Sequence, residues 1–91
     1  APVAPSNLAV TRLSAGVARL TWRDRSNNET SFEIERQQNV GGVWTNTTFF
    51  SSPTNSTTTD NTAGVGSWRY RIRARNGTAA SAWTGYRTVT L

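Results

Sequence analysis

The feature that most constrains the fold is an alternation of apolar and arginine side chains over residues Trp68–Arg75. Even-numbered positions in this segment are apolar, and odd-numbered positions are arginine. Successive side chains of a β-strand point to opposite faces, so a period of two puts all the apolar groups on one face. A helix would spread both kinds around its circumference. The segment is therefore predicted to be a strand with one buried and one charged face.

The same kind of alternation, punctuated by glycine and proline, predicts about seven short strands and no helix. Leu20 and Trp22 share the buried face of one strand, while the Gly41-Gly42 pair permits a tight reversal. The chain is long enough for one domain, 1–91, with a single core. The predicted strands cover residues 7–12, 17–23, 31–37, 43–49, 57–59, 68–75 and 86–90, and residues 37–42 and 51–55 are predicted to be a turn and a loop.

The composition leaves little for catalysis. The chain has no cysteine and no histidine, which removes the commonest nucleophile, general base and zinc ligands. No disulfide and no cofactor site is expected. The carboxylates that remain are Asp24, Glu29, Glu33, Glu35 and Asp60.

The net charge of +5 comes from ten basic residues that are all arginine. Such a charge raises the question of a polyanionic partner. No apolar run reaches the roughly 20 residues that span a bilayer, and Ala1–Ser6 lacks the apolar region of a signal peptide. We expect neither a membrane nor a nucleic-acid partner.

Four segments resemble a known family. The run from Trp22 to Arg36 is similar to the B–C segment of bacterial fibronectin type III domains, with a strand-B Trp, a polar loop and an aromatic-Glu-Ile-Glu-Arg strand. Ala4–Leu8 resembles the Pro-containing first strand of that family, and Arg71–Asn76 the end of its strand F. Ser81–Thr84 lies where the family often has a Ser, small, aromatic, Ser stretch.

The resemblance implies a seven-stranded antiparallel immunoglobulin-like β-sandwich with sheets ABE and C'CFG. It also implies an origin in secreted bacterial enzymes, because similar domains are accessory modules of polysaccharide-degrading glycoside hydrolases, such as chitinases and cellulases, and of polyester depolymerases. We therefore expect a monomeric module of a larger extracellular protein, whose partners are the neighbouring domains of the same chain.

One departure from the family concerns the tyrosine corner at the start of strand F. This chain has Trp68 at that position. An indole N–H donates a hydrogen bond but cannot accept one, so the corner is expected to be held differently. Val65 is expected to take the place of the Leu that the family usually has in the loop before strand F.

The charged face of strand 68–75 has two interpretations. In the fold that the resemblance implies, strand F lies beside strand C, so Glu33 and Glu35 are expected opposite the middle of the row. Cross-strand pairs of opposite charge contribute about 0.2–1 kcal/mol each. Such pairs would neutralise two arginines and leave a basic stripe with Arg36 and Arg87. Alternatively, the row binds phosphate or uronate oxygens. The row consists of Arg69, Arg71, Arg73 and Arg75.

The pattern leaves the environments of Trp44 and Trp83 open. Either ring is a candidate platform for polysaccharide. Alternatively, Trp83 packs over the arginine row, each guanidinium contributing about 0.5–1 kcal/mol, as in related fibronectin-type receptor modules. The other prominent apolar side chains are predicted to be structural: Leu20, Trp22, Phe32, Ile34, Trp68, Tyr70 and Ile72.

The carboxylates are predicted to have structural roles rather than metal-binding or catalytic ones. Asp24 and Glu29 flank a polar loop whose oxygens could hold calcium, but Asx turns are the favoured interpretation. Asp60 is predicted to be a turn residue. Glu33 and Glu35 lie on an open, arginine-lined face, which does not suit a glycosidase.

The leading functional expectation is a non-catalytic spacer of a secreted hydrolase, and the chain itself is not expected to be an enzyme. The first alternative is a polysaccharide-binding module that uses exposed Trp and Arg side chains. The second is a protein-interaction or adhesion module.

Overall fold

A computed structural model describes all residues from 1 to 91. It is built from β-strands and turns and contains no helix, and hence none long and apolar enough to cross a bilayer. The strands are β1 (Ser6–Ser14), β2 (Val17–Arg23), β3 (Ser31–Val40), β4 (Val43–Pro53), β5 (Thr58–Thr62), β6 (Ser67–Asn76), β7 (Ala79–Ala80) and β8 (Arg87–Thr90).

The strands form two antiparallel sheets. One sheet has the order β1-β2-β5, and the other has the order β4-β3-β6 with β7 and β8 both paired to β6. This is the ABE and C'CFG arrangement, so the predicted all-β sandwich is confirmed. The predicted last strand, 86–90, corresponds to β8, whereas the two-residue strand β7 was not predicted. Residues 81–86, between β7 and β8, belong to no strand.

Two predicted boundaries around β3 and β4 are wrong. The turn between them is only Gly41-Gly42, at φ 60° and 86°, and the side-chain oxygen of Asn39 accepts a hydrogen bond from the Gly42 N–H at 2.9 Å. β4 continues to Pro53, where a loop was predicted. A proline is tolerated there because β4 is an edge strand and residue 53 is its last residue.

The core lies between the sheets and is made by the apolar positions of the alternating strands. The rings of Trp22 and Phe32 meet at 5.5 Å between centroids. The Tyr70 hydroxyl donates to the side-chain oxygen of Asn61 at 2.9 Å, and burial raises its pKa to about 12. The buried cluster contains Leu8, Ala18, Leu20, Trp22, Phe32, Ile34, Trp68, Tyr70, Ile72, Ala74 and Leu91, and thus all seven residues predicted to be structural.

The corner before β6 is held by Trp68. Its indole N–H donates to the carbonyl of Gly64, four residues upstream, at 2.9 Å. The bond runs back to the backbone as the hydroxyl of a tyrosine corner does, so the acceptor capacity of tyrosine is not needed here. The expectation for Val65 is wrong, because its side chain is 75% exposed; Ala63 packs against the core instead.

The chain enters and leaves the sandwich at opposite ends. Ser6 pairs with Arg23, the last residue of β2. At the other end, Leu91 exchanges two backbone hydrogen bonds with Gly66, of 2.7 and 3.1 Å. The longest dimension of the molecule is 38 Å.

Candidate ligand surface

The predicted ligand residues come together on the outer face of the larger sheet. Strand register places Glu33 opposite Arg73 and Glu35 opposite Arg71. Aromatic side chains from β4 and from the segment before β8 lie over the same row. We call this set the arginine–aromatic ladder: Arg69, Arg71, Arg73, Arg75, Trp44, Trp83 and Tyr86.

Guanidinium groups and rings alternate along the ladder. Arg69 lies 4.5 Å from the centroid of Trp44 and 3.9 Å from that of Tyr86. Arg71 lies 4.7 Å from Tyr86 and 4.5 Å from Trp83. Arg73 completes the stack, 4.3 Å from Trp83. The packing interpretation of Trp83 is therefore what the structure has, with two guanidinium groups against that ring.

Ser81 and Thr84 fix the position of Trp83. The Ser81 N–H donates to the Ala74 carbonyl while its hydroxyl accepts from the Ala74 N–H, both at 2.9 Å. Thr84 does the same with Ile72, at 2.9 and 3.1 Å. Side-chain oxygens thus replace backbone carbonyls as partners of β6, and the segment can leave the sheet plane without orphaning buried N–H groups. This role was not part of the sequence prediction, although the Ser-x-Trp-Thr pattern marks the place.

Two glutamates pair with the arginines of the ladder from Arg71 to Arg75. Glu33 pairs with Arg73 at 2.5 Å and with Arg75 at 3.3 Å. Glu35 is only 4% exposed and pairs with Arg71 at 2.8 Å. Three arginines are therefore paired, where the sequence predicted two.

Glu35 also accepts a hydrogen bond from the Tyr86 hydroxyl. Burial alone would raise the pKa of the Glu35 carboxyl, but the hydrogen bonds from Arg71 and Tyr86 outweigh it and hold the pKa below its ordinary value. Burial and the neighbouring Glu35 raise the pKa of Tyr86. The carboxylate therefore stays charged and the phenol stays protonated at neutral pH.

The remaining arginine of the ladder and the two arginines expected in the basic stripe are also engaged. Arg69 donates to the side-chain oxygen of Gln37 at 2.8 and 2.5 Å. Arg36 lies on the opposite face of β3, 4.9 Å from the ring of Trp68. Arg87 donates to the carbonyl of Leu8 at 3.0 Å. The expected stripe is wrong for Arg36 and Arg87, because they stand opposite Tyr70, a core residue.

The carboxylates outside the ladder have structural partners. Asp24 accepts from the Ser26 N–H at 3.0 Å, an Asx turn. Burial and the neighbouring Glu29 raise the pKa of Asp24, whereas a hydrogen bond from Asp24 lowers that of Glu29. Asp60 lies within β5 and pairs with Arg19 at 2.9 Å, so its assignment to a turn is wrong. Nowhere do three Asp or Glu side chains meet as metal ligands would.

Comparisons with known proteins identify the fold. No protein-family model and no curated protein matches this sequence. Among solved structures, the FN5 domain of Drosophila Lar is similar at a TM-score of 0.78 and 13% identity, over 99% of this chain and 96% of that one. A myokine has a TM-score of 0.77 and 18% identity, over 97% and 95%. An Fn3-like protein from Clostridium thermocellum has 0.72 and 22%, over 99% and 93%. The fold is that of a fibronectin type III domain.

Proposed function

We propose that this chain is a non-catalytic spacer module of a secreted bacterial hydrolase, such as a chitinase or another polysaccharide-degrading enzyme. It would hold a catalytic domain and a binding domain of the same protein at a fixed separation. The observation that carries the proposal is the placement of the chain ends, with Ser6 at one end of the sandwich and Leu91 at the other.

Stiffness is the property that a spacer needs. A Gly/Ser linker of equal length behaves as a flexible coil with a broad distribution of end-to-end distances. This module instead has a packed core and an outer face cross-linked by the arginine–aromatic ladder. A folded module of this kind sets one separation between the domains attached at its two ends, and its own longest dimension is 38 Å.

The non-catalytic part of the proposal rests on the state of the carboxylates. Glu33, Glu35 and Asp60 are held in ion pairs with arginine, and Asp24 is held in an Asx turn. The buried Glu29 accepts a hydrogen bond from the Asn55 N–H at 3.3 Å. A general acid or base must be free to exchange its proton with a substrate. The extracellular and bacterial parts rest on the resemblance of Trp22–Arg36 to the modules of secreted enzymes.

The spacer can be tested by measuring distances between spin labels. The chain has no native cysteine, so a Val3→Cys, Thr90→Cys variant labels the two ends cleanly. We expect one narrow distance distribution of a few tens of ångströms. A Val3→Cys, Arg23→Cys variant labels one end twice and should give a short distance. A broad distribution for the first variant would contradict the spacer.

The biological context provides a second test. The reading frame that encodes these residues is expected to encode a glycosidase or depolymerase domain on one side. Replacing this module in that enzyme by a Gly/Ser linker of equal length should reduce hydrolysis of insoluble substrate and leave hydrolysis of soluble substrate unchanged. Equal loss on both substrates, or a reading frame without a hydrolase domain, would overturn the proposal.

A further inference from the structure

A surface hollow of about 370 Å³ adjoins the ladder beyond Arg69. Five of its seven lining residues lie on the same face of the sheet, because Asn39 pairs with both Trp44 and Ser67, Ser67 pairs with Thr90, and Thr88 pairs with Arg69. The other two, Trp68 and Val89, come from the inner face. The hollow therefore crosses four strands in one row, from the edge strand β4 to β8. Its volume falls in the range of small-ligand sites.

Most polar side-chain groups of the hollow are not used by the protein itself. The hydroxyls of Ser67, Thr88 and Thr90 make no hydrogen bond to any other group of the chain, whereas those of Ser81 and Thr84, which lie farther along β6, are engaged. The Asn39 side-chain oxygen accepts from Gly42, which leaves its amide N–H groups as donors. The lining contains no charged side chain.

Trp44 is the ring of the ladder that lines the hollow, and it is less covered by guanidinium groups than Trp83. Trp83 has guanidinium groups against it at 4.5 and 4.3 Å. Trp44 has one, that of Arg69 at 4.5 Å, and its side chain also lines the hollow. Arg69 is fixed by two hydrogen bonds to Gln37, so the ring is held in place before any ligand arrives.

We propose that this hollow is a subsite for a hexose unit of a neutral polysaccharide. A pyranose presents an apolar C–H face, which suits the Trp44 ring, and a rim of hydroxyls that both donate and accept, which suits Ser67, Thr88, Thr90 and the Asn39 amide. The absence of charge in the lining selects against uronates and phosphates. Binding here goes beyond the spacer role and does not depend on it.

A second hollow, beside Phe49, does not have these properties. Its volume is about 260 Å³. The two charged residues in its lining, Glu33 and Arg75, form an ion pair with each other at 3.3 Å. Phe49 is 54% exposed, and it is therefore a matched control, an exposed ring on the same strand as Trp44 but outside the proposed subsite.

The test is a titration of the ¹⁵N-labelled chain with cellohexaose, chitohexaose and mannohexaose, and separately with heparin at low and high salt, followed by amide and indole NMR shifts. At least one oligosaccharide should bind with a millimolar Kd and shift the Trp44 indole with the amides of Ser67, Thr88 and Thr90. A Thr88→Val, Thr90→Val variant preserves shape and should weaken binding by roughly tenfold or more. Trp44→Ala should abolish binding, and Phe49→Ala should leave it unchanged.

Three results would overturn the subsite. The first is no shift with any of the three oligosaccharides. The second is a set of shifts centred on Phe49 or Trp83, unaffected by the double valine variant. The third is binding to heparin alone with steep loss in salt, which would indicate a polyanion site on the arginine face. The spin-label distances do not depend on any of these outcomes, so a failed subsite and a failed spacer are distinguishable.

Discussion

The two faces of β6 consist of alternating residues of one strand, but they are stabilised by different forces. The inner face buries Tyr70 and Ile72 completely, and its stability comes from apolar area removed from water. The outer face keeps Arg71 and Arg73 about a quarter exposed, and it is ordered by many weak contacts with rings and carboxylates. The charged face is therefore held by specific contacts to its arginines, and we expect it to contribute less stability per residue than the inner face.

The largest expected effect is on the inner face. Ile72→Ala should lower the free energy of unfolding by about 2–5 kcal/mol, because it removes buried methylene groups and leaves a cavity. Urea unfolding followed by tryptophan fluorescence measures the loss. Ile72→Val is the control and should cost only about 0.5–1.5 kcal/mol. A loss for the alanine variant no larger than that of the valine variant would mean that the inner face is not the main source of stability.

The next effect concerns Glu35 on the outer face. Glu35→Gln should cost about 1–3 kcal/mol, because Arg71 and Tyr86 lose a charged acceptor in a buried position. Glu33→Gln, at a more exposed ion pair, is the matched control and should cost less. Equal losses from the two variants would show that the burial of Glu35 contributes nothing.

The pH dependence of the unfolding free energy tests the contribution of Glu35 in a second way. The pKa of Glu35 is depressed in the folded state, so its contribution to stability is present above the unfolded pKa of about 4.3 and is lost as the pH falls through the folded pKa. The unfolding free energy of the wild type should therefore fall more steeply below about pH 4.5 than that of Glu35→Gln. Parallel curves for the two proteins would contradict this assignment.

A smaller effect is expected from the rings of the ladder. Trp83→Leu keeps an apolar side chain but removes the π face that contacts Arg71 and Arg73, at a cost of about 1–2 kcal/mol. Phe49, whose ring lies 6.4 Å from that of Trp83 but contacts no guanidinium, provides a control in Phe49→Leu. If the two leucine variants lose the same stability, the guanidinium contacts are not what stabilises the ladder.

The smallest effect is expected away from both faces of β6. The ion pair of Arg19 and Asp60 is almost half exposed on each side, where solvent screens the attraction. Asp60→Asn should leave the urea midpoint nearly unchanged, and the small remaining difference should disappear in high salt. A midpoint shift as large as that of Glu35→Gln would break the distinction between ladder and ordinary surface pairs.

Local patterns predicted most of the strands, and the resemblance to fibronectin type III domains supplied their arrangement in two sheets. The alternation in β2 and β6 identified the buried residues, and the bounds of β2 were predicted correctly. The errors at β4 and Val65 arose where one residue type was given too much weight. Pro53 is compatible with the end of an edge strand, and an apolar side chain in a tight corner need not face the core.

The candidate site was predicted in its parts but not in its connections. The resemblance to fibronectin type III domains implied that the strand of Glu33 and Glu35 lies beside the strand of the arginine row. The two-residue period of each strand then put these glutamates on the same face as the arginines. The sequence did not indicate that Glu33 serves two arginines, that Arg36 faces the other way, or that the hollow beside Trp44 exists. Those features depend on the register between strands that are far apart in the chain.

The sequence by itself determined that this protein is a β-sandwich module with one apolar and one arginine-rich face on its central strand. Only the tertiary structure decided which rings cover which arginines. Ser81 and Thr84 bring Trp83 against Arg71 and Arg73, while the turn at Gly41-Gly42 brings Trp44 to Arg69. The physical reason is that strand character follows from neighbouring residues, whereas a stack of side chains requires non-local strands to be aligned within a few ångströms.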